Sequence, residues 1–179
     1  MAAANPAIIA VGTSFVPMRL YPLEVAVAFP LAERVTAWLI AGDGTAEWAQ
    51  ALANLPPHQR QSLAHHGQSA RAVAAALSNT LHGVTVYAGA PEDATLALST
   101  LYRAVDQRVP FTVEPIEALY ATRPAPAEQC ISSDEAIAAA HAAFQLPNRA
   151  RFEVQLYAAA SRLILGMPLA RNPTRLRPT

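Results

Sequence analysis

Three carboxylates are candidate ligands for a divalent cation by residue type. Asp93 follows Pro91 in "APEDATL", Glu153 lies in "NRARFE", and Glu24 lies inside the apolar run "LEVAVAF". Carboxylate oxygens are the ligands that Mg²⁺ prefers, and a pair of bound ions can activate water and stabilise a leaving oxygen. Each residue also has an ordinary structural role open to it. Asp93 suits the first turn of a helix, Glu153 suits an ion pair with Arg149 four residues earlier, and Glu24 suits an open face of a sheet.

The histidines and the cysteine give weaker signals. His65 and His66 are adjacent in a polar segment before Gly67, which is typical of solvent-facing side chains rather than of metal ligands. Cys130 is the only cysteine, so no intrachain disulfide can form, and we expect a reducing, cytoplasmic setting. No apolar run reaches the roughly 18 residues that a transmembrane helix needs, so no membrane partner is expected.

Charge is distributed unevenly along a chain of zero formal net charge. Residues 1–148 carry 7 Arg and 12 Asp or Glu, a net of −5, whereas residues 149–179 carry 6 Arg and one Glu, a net of +5. The neutral total argues against strong nonspecific DNA binding by the body of the protein. Arg171, Arg175 and Arg177 lie in the segment 167–179, whose interior prolines predict an extended arm that could contact phosphates.

The elements that would position these residues follow an α/β order in one domain over residues 1–166. Apolar and alternating segments predict three tightly connected strands in the first 41 residues, typical of an antiparallel meander. Capping residues, glycines and apolar spacing predict the later elements. These are a helix from Ser69 to Gly83, a strand over 84–88, a helix from Pro91, a strand over 111–115 and a helical turn near Leu119. Two further helices are predicted, one from Ser132 and a last one from about Arg149 to Leu165.

Six stretches of the chain resemble the ribonuclease H-like fold. Within that fold they resemble the DEDDh 3′–5′ exonucleases, which are related to the proofreading subunit of bacterial DNA polymerase III. The stretches are "IIAVGTSF", "YPLEVAVAFP", "TAWLI", "HGQSARAVAAALSNTLHGVTVYAGAPEDATLALSTLY", "FTVEPIEAL" and "LPNRARFEVQLYAAASRLI". They cover about residues 7–165, and the resemblance implies a mixed five-stranded sheet flanked by helices.

The resemblance also implies a two-metal site, of which little is retained. The family places Asp and Glu two residues apart on the first strand, where regular alternation directs both to one face; here those positions are Gly12 and Ser14. Asp93 matches the next carboxylate, while Asn148 and Glu153 match the general-base His and the last Asp. Two of four carboxylates are thus matched, and an amide cannot act as a base near neutral pH. We therefore expect a degenerate centre with no intact catalytic set and no cofactor.

Three functions remain open on this reasoning. The first is a non-catalytic exonuclease-like module that binds single-stranded nucleic acid or a protein partner. The second is an active metal-dependent 3′–5′ exonuclease, which would recruit Mg²⁺ or Mn²⁺ through Asp93, Glu153 and a substitute carboxylate such as Glu24. The third is a protein-interaction or homo-oligomerisation domain. The joint loss of both first-strand carboxylates favours the first function over the second.

Overall fold

The computed structural model describes residues 6–17, 19–29 and 34–121. The elements in these residues are β1 (Ala7–Val16), β2 (Arg19–Phe29), β3 (Arg34–Gly42), α1 (Ala46–Ala53), α2 (Pro57–His66), β4 (Gln68–Ser69), α3 (Ala70–Leu81), β5 (Thr85–Ala88), α4 (Pro91–Arg103), β6 (Thr112–Pro115) and α5 (Ile116–Ala121). No helix in these ranges is long and apolar enough to cross a membrane. The helices predicted from Ser132 and Arg149 and the arm over 167–179 lie outside the described residues.

The strands form one mixed sheet in the order β4-β3-β2-β1-β5-β6. β1, β2 and β3 are antiparallel neighbours, whereas β5 is parallel to β1 and β6 is parallel to β5. This arrangement confirms the predicted α/β class, the antiparallel meander and all five predicted strands. The sixth strand, β4, is a two-residue segment at the edge that pairs with β3. It has no strand-like run in the sequence, so it was not predicted.

The core lies on both faces of the sheet, because β1 alternates apolar residues that are buried on either side. Ile9 belongs to the larger cluster, which joins the sheet to α1, α3 and α4. Ile8 belongs to a smaller cluster on the opposite face, where Ile116 and Leu119 of α5 pack. Both isoleucines are fully buried. This agrees with the interpretation of the first apolar run as a strand covered on both faces.

Capping chemistry sets the ends of α3 as the sequence predicted. The Ser69 hydroxyl accepts a hydrogen bond from the backbone N–H of Ala72 at 3.2 Å and so caps the first turn. Gly83 follows the last turn with φ +68°, the left-handed conformation that favours glycine at this position. The apolar residues Val73 and Leu77 face the core between these ends.

Two helices, α1 and α2, were not predicted. Thr45 caps α1, which buries Trp48 and Ala51, and the Thr45 side chain accepts from the Trp48 N–H at 3.4 Å. Pro57 begins α2, in which only Leu63 is buried. A helix with a single buried residue has no apolar stripe, so hydrophobic periodicity could not reveal it.

The pairing of β1 with β2 contains one β-bulge, which lies between Gly12 and Thr13 of β1. Gly12 pairs with Glu24, and the next residue, Thr13, pairs with Pro22, so Leu23 is an extra residue on β2. A β-bulge of this kind increases the local twist and re-aims the side chains beyond it.

The bulge changes which residues of β1 face the helices. Before it, Val11 pairs with Val25 and packs against the larger core; beyond it, Ser14 pairs with Tyr21, which belongs to the same core. Val11 and Ser14 both face the larger core although they are three residues apart. In a regular strand, residues on one face are separated by an even number of positions. The regular alternation that would place Gly12 and Ser14 in equivalent positions is therefore broken.

A polar contact holds α1 against the far end of the β1–β2 hairpin. The carboxylate of Glu47, in the first turn of α1, accepts hydrogen bonds from the Tyr21 hydroxyl at 2.7 Å and from the Arg19 guanidinium. The Tyr21 ring also meets Trp48 edge to face, with centroids 5.5 Å apart. Burial, together with the hydrogen bond to Glu47, raises the pKa of Tyr21. These contacts fix α1 next to the bulge.

The junction between α2 and β3 predicts a specific sensitivity to a methyl group. A Cβ added at Gly67 would lie 2.3 Å from the Leu63 carbonyl oxygen and 2.9 Å from the Ala41 Cβ. We expect Gly67→Ala to lower the free energy of unfolding by about 1–3 kcal/mol, because the packed segment must shift to make room. Thermal denaturation should show a melting temperature lower by several degrees.

Gln61→Ala, on the exposed side of the same helix, is the matched control and should change stability by at most about 0.5 kcal/mol. A Gly67→Ala protein that melts with the wild type would contradict the close approach of α2 to β3.

Candidate functional site

A cleft of about 720 Å³ opens where the end of β1 meets α2 and the start of α4. Its walls come from six elements and the loops beside them. The described residues that line it are Ile9, Ala10, Val11, Gly12, Thr13, Leu23, Glu24, Leu39, Leu55, His58, Gln59, Ser62, Leu63, Ala88, Ala90, Asp93 and Ala94. The volume is within the range typical of ligand-binding sites.

Sheet topology brings Gly12 and Asp93 to this one cleft. β5 runs parallel to β1, with Ile8 opposite Tyr87. The chain leaves β5 at Ala88 and enters α4 within a few residues, so the first turn of α4 comes beside the end of β1. Asp93 lies in that first turn, where the helix dipole favours a carboxylate.

Glu24 supplies a second carboxylate to the cleft, from the strand opposite Gly12. The two residues are cross-strand partners, and Glu24 is buried, with 8% of its surface exposed. Directly opposed residues in an antiparallel pair have Cβ positions about 5 Å apart on the same face. The cleft at Gly12 therefore has a carboxylate on the neighbouring strand and none on β1 itself.

Ser14 does not line the cleft, although regular alternation along β1 predicts that it shares a face with Gly12. Its hydroxyl donates a hydrogen bond to the Ala51 carbonyl oxygen of α1 at 2.9 Å, and the residue is buried. The physical reason is the bulge between Gly12 and Thr13, which breaks the alternation on which that expectation depended. In this structure Ser14 joins β1 to α1.

One wall of the cleft comes from α2, which sequence reasoning missed. His58, Gln59 and Ser62 present hydrogen-bonding side chains to the cleft from this helix. The available signal was the pair Pro56–Pro57, because proline is favoured in the first turn of a helix. His65 and His66, in the last turn of the same helix, are exposed as predicted.

Among the described residues, the charged side chains that line the cleft are all acidic. Glu24 and Asp93 are the only acidic residues in its lining, and neither Arg nor Lys lines it there. In the described ranges no three His, Cys, Asp or Glu side chains come together in a group that could hold a metal ion. Asn148, Glu153 and the arm residues Arg171, Arg175 and Arg177 lie outside these ranges.

Comparison with known proteins identifies the fold. No protein-family model and no curated protein matches the chain. Among solved structures it is similar to the zinc-bound form of the E. coli ExoI–single-stranded DNA complex, with a TM-score of 0.51 and 11% sequence identity. The match covers 90% of this chain but 41% of the ExoI chain, so the chain spans less than half of ExoI. At this identity the similarity shows the fold alone, which is α/β and ribonuclease H-like, as predicted.

Gly12 lines the cleft whereas Ser14 contacts α1, so the two positions should respond differently to a new carboxylate. Gly12→Asp would place an acid directly across from Glu24 in the cleft that Asp93 also lines, so we expect repulsion to lower the melting temperature in a chelator. Millimolar Mg²⁺ or Mn²⁺ should restore it, because the ion neutralises clustered carboxylates.

Ser14→Asp is the matched control, since it adds the same group two residues away. Its carboxylate would be buried beside the Ala51 carbonyl oxygen, so the protein should be destabilised in chelator and in metal alike. Equal recovery of both variants on adding Mg²⁺ would show that the two positions share the cleft.

Proposed function

We propose that this chain is a non-catalytic, exonuclease-like module that binds single-stranded nucleic acid in the cleft beside Gly12. The observation that carries the proposal is the presence of glycine at a cleft position where the resembling exonucleases have a metal-binding carboxylate. Hydrolysis in those enzymes depends on fixed carboxylates that hold two ions against the scissile phosphate. A glycine offers no ligand atom from its side chain.

The orientation of Ser14 supports the proposal. In the resembling family this position carries the second carboxylate of the first strand. Here the side chain is short, buried and hydrogen-bonded to Ala51. It contributes to the packing of α1 instead of to the cleft. Both first-strand positions of the resembling motif are therefore occupied by residues with no route to a cleft metal.

Two further features favour nucleic acid as the ligand. The solved neighbour ExoI was crystallised with single-stranded DNA. The cleft of this chain also combines apolar walls with the amide of Gln59, the imidazole of His58 and the hydroxyl of Ser62. Unpaired bases are recognised by such a combination of apolar contact and hydrogen bonds to their edges.

A second candidate function is supported by the position of Glu24. Because this carboxylate lies directly opposite Gly12, it could replace the missing acid across the strand pair and hold Mg²⁺ or Mn²⁺ together with Asp93. With Glu153 the set would give a metal-dependent 3′–5′ exonuclease. The two candidates differ in a single measurable property, which is hydrolysis.

Purified wild-type protein should leave single-stranded DNA and RNA intact in Mg²⁺ and in Mn²⁺. It should bind a labelled single strand equally well in metal and in chelator, because no step of binding uses an ion. Gel analysis of end-labelled strands measures hydrolysis, and fluorescence anisotropy of the same strands measures binding.

Asp93→Ala, purified in parallel, controls for a contaminating nuclease. Chelator-sensitive release of nucleotides by the wild type, abolished in Asp93→Ala, would contradict the proposal and establish the second candidate. Absence of binding to any single strand at low salt would instead favour a protein-interaction module.

The arm gives a separate prediction about salt. We propose that Arg171, Arg175 and Arg177 bind phosphates, so the triple alanine variant should bind single strands more weakly. The slope of log affinity against log salt should fall in magnitude by about 0.7 for each phosphate that is no longer neutralised, or about 2 in all. The matched control for net charge is the triple variant Arg71→Ala, Arg103→Ala and Arg108→Ala, which removes three exposed arginines from the described residues. An unchanged slope in the arm variant would exclude the arm from the interface.

A further inference from the structure

Phe15 is an exposed aromatic residue in a strand whose adjacent side chains are buried. Phe15 is 66% exposed, whereas Ser14 and Val16 on either side of it are buried. Among the described residues, Leu96 is the other exposed large apolar side chain. A phenyl ring left in water forgoes the stabilisation that burial brings, so Phe15 adds little to the core. Single exposed apolar residues are common on protein surfaces, so the position of the ring decides what it can do.

The position of Phe15 is next to the cleft. Beyond the bulge, β1 alternates regularly, because Thr13 and Phe15 are exposed while Ser14 and Val16 are buried. Thr13 and Phe15 therefore share one face of the strand, and Thr13 lines the cleft. Two residues of a strand span about 7 Å. The Phe15 ring thus lies one side chain beyond the cleft wall.

The ring lies on the face of β1 that points away from α1. On the other face, Ser14 donates a hydrogen bond to α1 and Val16 belongs to the larger core. The cross-strand partner of Phe15 is Leu20, which is half-buried. Directly opposed side chains of an antiparallel pair have Cβ positions about 5 Å apart. Phe15 and Leu20 therefore form a small apolar surface at the end of the β1–β2 hairpin, here called the hairpin platform.

A nucleobase is a ligand that suits the hairpin platform. Proteins that bind single strands place aromatic side chains beside the strand, and successive bases stack on them. In a stacked strand each nucleotide advances by about 3.4 Å, so the roughly 7 Å between Thr13 and Phe15 corresponds to two nucleotides. A strand that is bound in the cleft at Thr13 therefore brings one of its next bases over the Phe15 ring.

We propose that Phe15, backed by Leu20, stacks on a base of the bound single strand just outside the cleft. The proposal rests on the proposed function and adds a second contact to the same binding surface. The strand runs from the cleft along the exposed face of β1 toward the end of the hairpin. Every base has a π-face, so this contact requires a planar, unpaired base and does not distinguish one base from another.

Fluorescence anisotropy of a fluorescein-labelled dT octamer, with the full chain at low salt in EDTA, tests the stacking contact. Phe15→Ala should weaken binding about tenfold, which is typical of the loss of one base–aromatic stack. Phe15→Leu keeps an apolar side chain without a ring and should weaken binding by a similar factor. Phe15→Trp should bind at least as tightly as the wild type, because it keeps an aromatic face.

Leu96→Ala is the matched control. It removes the other exposed large apolar side chain of the described residues, which lies on α4 and is not among those that line the cleft. Its affinity for the dT octamer should stay within about twofold of the wild type. Because both positions are exposed, the Phe15 and Leu96 variants should melt within about 2 °C of the wild type, which separates lost binding from lost folding.

A second octamer separates stacking from any other role of Phe15. In 5,6-dihydrothymidine the base keeps its hydrogen-bonding edge, but its ring is saturated and no longer planar. The wild type should bind the dihydrothymidine octamer about tenfold more weakly than the dT octamer. Phe15→Ala should bind the two octamers equally to within about twofold, because the ring that requires a planar base is absent.

The outcomes distinguish this inference from the function on which it rests. Equal binding of the dT octamer by the wild type and Phe15→Ala would overturn the stacking contact and leave single-strand binding intact. Binding of neither octamer by the wild type would overturn both. A Phe15→Ala protein that binds more weakly and still prefers dT tenfold would contradict stacking on this ring. A wild-type dimer in sedimentation velocity that Phe15→Ala converts to a monomer would assign the ring to a contact between copies and would also overturn the inference.

Discussion

The bulge between β1 and β2 is the constraint on which the rest of the site depends. It places one extra residue, Leu23, on β2 and changes the facing of β1 at Gly12 and Thr13. Up to Val11 the odd-numbered residues of β1 face the helices, whereas beyond the bulge Ser14 and Val16 do so. Ser14, beyond the bulge, can then pack against α1, while residues 9–13 of β1 line the cleft.

This arrangement separates two positions that the resembling enzymes use together. Gly12 remains at the cleft and contributes only backbone there, while Ser14 becomes a packing residue on α1. Glu24 brings a carboxyl group to the cleft from the neighbouring strand, and Asp93 brings one from α4.

Much of the fold could be predicted from the sequence because its signals are local. The apolar run at Ile8 and Ile9 and the cap and glycine that bound α3 each indicate their element without reference to the rest of the chain. α2 could not be found in this way, since Leu63 is its only buried residue and no apolar stripe marks it. β4 is held in place by pairing with β3, and its two residues carry no preference of their own.

The site was predictable only in part for a related reason. Gly12 and Asp93 reach one cleft through the parallel pairing of β1 and β5, which the order of elements already indicated. The facing of Ser14 depends on one extra residue in the partner strand, and such a bulge has no clear signature in the sequence. The polar wall formed by His58, Gln59 and Ser62 was missed together with its helix.

Amide chemical shifts of the full ¹⁵N-labelled chain, titrated with an unlabelled single-stranded DNA octamer in EDTA, test most directly whether this cleft binds nucleic acid without metal. The amides of Gly12 and Thr13 should shift progressively with the octamer, together with those at the start of α4. Mg²⁺ in place of EDTA should leave these shifts unchanged. Shifts that appear only with Mg²⁺, or that avoid Gly12 and Thr13 while the octamer binds, would contradict metal-independent binding by this cleft.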